Sequence, residues 1–169
     1  MQFNDFISDR ILCIVFDSKK ESILIQYLSG LDYDVNFMIS NPITIDNVRD
    51  IIGINRMRDQ KLDYLLQNKE MKRELLVIDT GMISKYKGSH YDLIKELVLD
   101  IRNNNRSQTP VILLFRGYTN REGVDLSISN IRTPIIADVE SVLSFNGEEF
   151  NIIKSREYSN GNFKINTGV

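Results

Sequence analysis

Three uninterrupted apolar runs dictate the kind of sheet this chain can build. Arg10–Phe16 (RILCIVF), Leu75–Asp79 (LLVID) and Pro110–Phe115 (PVILLF) are rich in β-branched and large apolar residues, with no alternation of polar and apolar positions. A strand that is apolar at every position is buried on both faces, the condition of a parallel sheet covered by helices on either side. Helical patterns lie between the runs. Ser22–Ser29 reads as a short helix stopped at Gly30 as its C′ residue. After a strand at Val35–Ser40 and a turn at Pro42, Thr44 or Asp46 can cap a long helix to about Lys69, with Val48, Ile51, Ile52, Leu62, Leu65 and Leu66 on one face. Tyr91–Asn103 is amphipathic, with Leu93, Ile94, Leu97, Val98 and Ile101 at helical spacing. Alternating buried strands and helices predict an α/β fold, a mainly parallel sheet with helices on both faces. Near the C-terminus, Ile135–Phe145 and Phe150–Ser155 flank Asn146-Gly147, a hairpin signal, and Phe163–Asn166 follows Asn160-Gly161. These predict antiparallel strands at one edge.

The length, 169 residues, suits one domain with a real core. No repeat or linker divides it, so 1–169 reads as a single domain with residues 1–9 as an N-terminal arm. The net charge of −2 excludes a global basic field, so any nucleic-acid site has to be local. Cys13, the single Cys, sits inside the first apolar run. It reads as a core residue rather than a nucleophile, and it excludes a disulfide framework. A reducing, cytoplasmic setting is expected, since neither a signal peptide nor a membrane-spanning apolar run is read in the sequence.

The second apolar run closes on Asp79, and open α/β sheets place ligands at the carboxyl ends of their strands. There Asp79 could orient a Mg2+-bound water; the plainer reading is an Asp that begins a turn. A nucleotide-hydrolysing site of this kind also needs G-x-x-x-x-G-K-[ST], whose backbone cradles the phosphates. None of the nine glycines starts such a loop. Asp17-Ser18-Lys19-Lys20-Glu21-Ser22 stands where one would, between the first strand and a helix, but it has no Gly, and Cβ atoms obstruct close phosphate approach. It reads as a solvated turn, with a weak anion site at the helix N-terminus as the alternative. Lys154 and Arg156 lie two residues apart, so on a strand both point to one face. They are either a solvated edge or a basic pair reaching an acidic or phosphate partner on an adjacent subunit. Two loops mix cations with Tyr: Gly81–His90, with Lys85, Tyr86 and Lys87, and Arg116–Arg132, with Arg116, Tyr118, Arg121 and Arg132. That mixture suits single-stranded DNA, although Glu122 and Asp125 dilute the second loop. His90, the only His, reads as a helix-start residue rather than a ligand or base.

The order of these signals is more specific than any one of them. Ile14-Val15-Phe16-Asp17-Ser18, Pro42-Ile43-Thr44-Ile45, Leu76-Val77-Ile78-Asp79, Pro110-Val111-Ile112-Leu113-Leu114, Ile136-Ala137-Asp138-Val139 and Ile153-Lys154-Ser155-Arg156 together resemble the RecA-like ATPase core. The likeness is to phage recombinases of the UvsX type and replicative helicases of the DnaB type, over about Arg10 to Gly168. It implies a RecA-like fold in which Asp79 is the Walker B acid and the place for Mg2+. Asp17 stands for the catalytic Glu, one methylene shorter, and Arg116 takes the sensor position. Lys154 and Arg156 would contact a neighbouring subunit's nucleotide, and Lys85, Tyr86, Lys87, Arg121 and Arg132 would contact DNA weakly.

The P-loop is the departure from the family pattern. On one alignment its strand would precede Arg10. The sheet must then close a central gap by pairing the flanking strands, by using Met1–Ser8 or by accepting a partner. On the other alignment Asp17–Ser22 is a decayed P-loop. The spacing from Asp17 through Pro42 to Asp79 favours the first. The resemblance implies a non-catalytic, oligomeric subunit with a structural or regulatory role in DNA replication, recombination or packaging, in a phage or similar replicon, hence in host cytoplasm or virion. No cofactor is expected, with ATP and Mg2+ entering only beside a P-loop-bearing partner subunit. A half-site completed by such a partner, and a pure protein–protein scaffold, are the alternatives.

Overall fold

The computed structural model describes residues 2–7, 11–39, 44, 46–49, 72–83, 90–104, 109–117, 119–120, 123–124 and 138–165. In chain order the elements are α1 (Asn4–Ile7), β1 (Ile11–Asp17), α2 (Glu21–Ser29), β2 (Asp34–Met38), β3 (Glu74–Asp79), α3 (His90–Asn104), β4 (Val111–Gly117), β5 (Thr119–Asn120), β6 (Gly123–Val124), β7 (Ser141–Phe145), β8 (Glu149–Lys154) and β9 (Asn162–Lys164). One seven-stranded sheet runs β2-β3-β4-β1-β7-β8-β9, while β5 and β6 form a separate ribbon. The five strands from β2 to β7 in that order pair in parallel, and β8 and β9 add antiparallel. The α/β class and the antiparallel C-terminal edge thus follow the expectation from the sequence.

Ile11–Asp17, Glu74–Asp79 and Val111–Phe115 are buried at every position, and side-chain alternation divides them between two cores. Ile11, Cys13 and Val15 of β1, Leu76 and Ile78 of β3, and Val111, Leu113 and Phe115 of β4 pack with Ile94, Leu97, Val98 and Ile101 of α3. The other parity, Leu12, Ile14, Phe16, Leu75, Val77, Ile112 and Leu114, packs with Leu24 and Leu28 of α2 and with Phe3, Phe6 and Ile7 at the N-terminus. Helices therefore cover both faces. The second core continues into an aromatic cluster in which Phe6 and Phe150 each stack on Phe163.

Several boundaries differ from the sequence reading. β1 holds a central place between β4 and β7 and is hydrogen-bonded on both sides, so no central gap remains to be closed. Within the N-terminal arm residues 4–7 form a helical turn, with Phe6 and Ile7 buried in the second core. β2 is Asp34–Met38 rather than Val35–Ser40, and β7 begins at Ser141 rather than Ile135. Gly30 ends α2 with a right-handed φ of −86°, its N–H bonding back to Gln26 and Tyr27 without any use of glycine's freedom. Of the long helix expected from Thr44 to Lys69, residues 46–49 are helical. The Thr44 hydroxyl accepts from the Asn47 N–H at 3.1 Å, as a cap should. The rest of that helix, residues 50–69, lies outside the described residues.

Candidate functional site

Arg116 extends β4 beyond the apolar run that announced it. The strand continues to Gly117 because the backbone of Phe16 and Asp17 still pairs with residues 116 and 117. At this carboxyl edge three neighbouring strands each present one residue to the α2 face. Phe16, Asp79 and Arg116 share the parity of Ile14, Val77 and Leu114. The first residue of α2, Glu21, completes the group.

The guanidinium bridges two carboxylates. Its Nη2 donates to Asp79 Oδ2 at 2.5 Å and to Glu21 Oε1 at 2.7 Å, and its Nη1 donates to Glu21 Oε2 at 3.2 Å. Asp79 is fully buried, whereas the Arg116 side chain is 33% exposed and Glu21 38%. Charge-assisted, forked bonds of this kind are the strong ones. They hold the Arg116 guanidinium above its ordinary pKa, the bond to Glu21 first, against the opposing effect of burial, with Asp79 adding to the rise. Arg116 Cζ also stands 5.6 Å from the centre of the Phe16 ring. Asp79's other oxygen, Oδ1, accepts the Gly81 N–H at 2.9 Å and so caps the 3-10 turn Thr80–Met82. Gly81 has room for little else: an added Cβ would stand 3.2 Å from Asp79 Oδ1 and 3.6 Å from Arg116 Nε. The buried Thr80 hydroxyl donates to the Leu114 carbonyl at 2.7 Å and ties β3 to β4 beside the site.

The two acids singled out in the sequence do not meet. Asp17 shares the parity of Cys13 and Val15 and so belongs to the α3 face, opposite Asp79. In register Asp79 is level with Leu114, and Asp17 with Gly117. They are therefore separated by about 10 Å along the strands and by two strand spacings across. Asp17 Oδ1 accepts the Lys19 N–H at 3.0 Å and starts the turn Ser18–Lys20. The loop from Asp17 to Glu21 is closed from outside by the β7–β8 hairpin. Gly147 there has φ +102°, and a Cβ on it would lie 2.8 Å from Lys20 Cγ and Cδ. The α2 N-terminus, weighed above as an anion site, carries the Glu21 carboxylate in its first turn.

Lys154 and Arg156 lie at the opposite, amino edge of the parallel strands, since Lys154 pairs with Val142 near the start of β7. The expectation that strand alternation puts them on one face is corrected. β8 ends at Lys154, and Arg156 lies in the bend beyond it. A bulge between Val142 and Leu143 shifts the register at Ile153, so Ile153 and Lys154 both turn to the α3 side. There Lys154 Nζ donates to the Val139 carbonyl at 2.6 Å. The two cations nonetheless line one cleft of about 230 Å³, together with Arg102, Val139 and Glu140. Glu140 Oε1 is 3.8 Å from Arg102, and its buried Oε2 has no partner among the described residues. A larger cavity, about 420 Å³, lies between α1, the end of α2 and β9, lined by Phe3, Tyr27, Leu31 and Phe163, and shares no lining residue with either charged site.

His90 is the first residue of α3. Lys85, Tyr86, Lys87, Tyr118, Arg121 and Arg132 lie outside the described residues. The sequence reading missed Glu21, Phe16 and Gly81 as parts of the site. The parity shared by Phe16, Asp79 and Arg116 is the signal that could have found the first contacts; nothing local to Glu21 announces its partner. Among the described residues no group of three or more His, Cys, Asp or Glu could hold a metal ion, and no helix is long and apolar enough to cross a membrane.

The chain matches no protein-family model and no curated protein.

Proposed function

We propose that this chain is a non-catalytic, RecA/DnaB-like subunit with a structural or regulatory role in a DNA replication, recombination or packaging assembly. The observation that carries the reading is the Glu21–Arg116–Asp79 bridge, which fills the carboxyl edge from within. The residues there do not fit Mg–ATP. Asp79 and Glu21 are engaged by a guanidinium, the preceding loop has no glycine, and Lys20 packs its stem against Gly147. The central place of β1 supports the alignment in which Asp17–Ser22 is a decayed P-loop, because the P-loop strand of RecA-like sheets is central. On that alignment Asp17 loses the role of the catalytic acid. ATP hydrolysis by the pure chain, above background and abolished by Asp79→Ala, would overturn the proposal. Co-purification of the native chain with a RecA-like or replication partner supports it.

The half-site alternative, in which Asp79, Asp17, Lys154 and Arg156 complete a site with a partner's P-loop, needs residues that lie at opposite edges of the sheet, so in one chain only Lys154 and Arg156, which share a cleft, remain to reach another chain's nucleotide. Mixing with a P-loop-bearing partner should then create hydrolysis that Arg156→Ala removes. The scaffold alternative differs: Asp79→Ala, Lys154→Ala and Arg156→Ala leave assembly unchanged. DNA contact by Lys85, Tyr86, Lys87, Arg121 and Arg132 belongs to the assembled state, where loops from several subunits add up. With about three phosphates neutralised per subunit, the salt slope on single strands should be near roughly −2. Equal binding by the assembled wild type and by a variant with Lys85, Lys87, Arg121 and Arg132 changed to Ala would remove DNA from the reading.

A further inference from the structure

β9 ends the seven-stranded sheet, and among the described residues it has a strand neighbour on one side only. Its pairing with β8 decides which backbone groups are used. The Ile165 N–H donates to the Glu148 carbonyl at 3.1 Å, and the Gly161 carbonyl accepts from the Ile152 N–H at 2.9 Å, so residues 161, 163 and 165 turn their groups toward β8. In an antiparallel ladder the residues between them turn the other way, which puts the N–H and C=O of Asn162 and Lys164 on the open side. The cavity of about 420 Å³ runs along the same stretch, since Phe163, Lys164 and Ile165 all line it. Its apolar walls Phe3, Tyr27 and Leu31 belong to the second core, and Phe3 and Tyr27 meet edge to face at 5.4 Å.

We propose that this edge docks an extended segment of a partner protein, which adds a strand beside β9 and seats one aromatic or large apolar side chain in the cavity. Backbone groups that repeat at strand spacing are matched by another extended backbone, and a pocket on one face then selects alternate side chains. The side chain opposite Phe163 shares the face of Phe163, so it is the one that enters the cavity. Its two neighbours fall opposite Asn162 and Lys164, on the other face, where both of these are exposed. A lysine on an edge strand discourages indiscriminate pairing, and an acid opposite Lys164 turns that obstacle into an attraction. The segment is therefore aromatic or apolar at its centre, with an acidic residue beside it. A second copy of this chain fits less well. Two β9 strands could pair about Phe163, but that ring is stacked on Phe6 and Phe150 and cannot also fill a neighbour's cavity. None of the lining residues belongs to the Glu21–Arg116–Asp79 bridge or to the amino-edge cleft, so the docking edge is independent of the RecA-like reading.

The probe is a labelled peptide with blocked ends, Thr-Thr-Glu-Phe-Glu-Thr-Thr, titrated into the full chain and followed by fluorescence anisotropy and amide hydrogen exchange. It should bind with a Kd below about 1 mM. Alanine in place of its central phenylalanine should weaken binding about tenfold or more. N-methylation of its two glutamates removes the strand N–H groups, keeps the side chains and should abolish binding. Lys164→Glu, at an exposed position, should weaken binding about fivefold and should favour the peptide that carries lysine for glutamate. In the free protein the Asn162 and Lys164 amides should exchange fast beside protected Phe163 and Ile165, and they should slow when the peptide binds. No binding at that level overturns the proposal, as does binding unchanged by the central alanine, by N-methylation or by Lys164→Glu. Slow exchange at Asn162 and Lys164 without peptide also overturns it: growing with protein concentration it assigns the edge to a second copy, and independent of concentration to the chain itself.

Discussion

Arg116 Nη2 lies 2.5 Å from Asp79 Oδ2 although Arg116 stands two residues beyond the position of β4 that pairs with Asp79. Two residues is one full period of a strand, so both side chains emerge on the α2 face. The long Arg side chain runs back along that face to the buried carboxylate and meets Glu21 on the way. A single residue of slip would put the guanidinium on the α3 side and leave Asp79 charged and alone. The pair therefore reports the register of the two strands as well as the chemistry of the edge.

Arg116→Ala should destabilise the chain by about 2–4 kcal/mol. That is below the top of the range for breaking a buried pair, because Arg116 itself is one-third open to water. Asp79→Asn alone should cost less, since it removes the buried charge but keeps a partner for the Gly81 N–H. In the double variant the two costs should not add. Urea denaturation of the four proteins measures the coupling, and additivity within about 0.5 kcal/mol would show that the bridge contributes nothing.

Gly147→Ala should cost about 1–2 kcal/mol, from a left-handed φ of +102° together with a Cβ 2.8 Å from the Lys20 stem. Adding Lys20→Ala should recover the steric part and leave the backbone part. Complete recovery would mean that the turn tolerates a side chain at 147 and that Lys20 alone requires the glycine. Chemical denaturation of the single and double variants separates the two.

The sheet was legible because burial on both faces leaves an unmistakable sequence trace. PVILLF has no polar position to hide and LLVID none before its closing Asp79, and β3 and β4 form there. The end of β4 was not legible. Arg116 and Gly117 look like loop residues, yet their backbones pair with Phe16 and Asp17 of β1. Glu21 stands 95 residues from Arg116, and nothing in the segment around it encodes so distant a contact. For Lys154 and Arg156 a simple period of two gave the wrong geometry, because β8 ends at Lys154 and Arg156 lies in the bend beyond it, with no Gly or Pro to mark the end. Position in the sheet was not legible either: spacing along the chain says nothing of which strands neighbour β1, and pairing places it between β4 and β7.

Cys13 supplies an alkaline limb. Burial first, and the charge of Glu140 second, push its thiol well above the ordinary value of 9.0, with Lys154 working the other way. The folded value is raised above the unfolded one, so this contribution to stability is complete below pH 9.0 and is lost as pH rises from there toward the folded value. The unfolded chain releases the proton first, which gives stability a negative slope with pH. Tyr27, raised by burial, adds a limb of the same sign above its ordinary value of 10.0. Denaturation midpoints at a series of alkaline pH values should fall, and Cys13→Ala should flatten the part of the fall that starts at the lower pH. In the native state the thiol should resist a disulfide reagent and react at the rate of opening.

At the amino edge the two cations should separate in their effects. Lys154 donates to the Val139 carbonyl at 2.6 Å, close to the buried Cys13, so it helps to hold the segment that leads into β7. Lys154→Ala removes that bond and should cost about 1–2 kcal/mol, the range for a part-buried charged donor. Arg156 lies past the end of β8 on an exposed bend, where substitutions usually fall within about 0.5 kcal/mol. Its cleft also holds Arg102 and Lys154, so a partner that seats an acidic or phosphate group there should feel the loss of any one of the three. Arg156→Ala should therefore weaken capture of that partner with the midpoint of unfolding unchanged, whereas Lys154→Ala should lower both. Pull-down of the native partner, read beside thermal denaturation of the same two variants, makes the comparison. Unchanged capture by Arg156→Ala would remove the amino-edge cleft from the interface and leave Lys154 as a structural residue only.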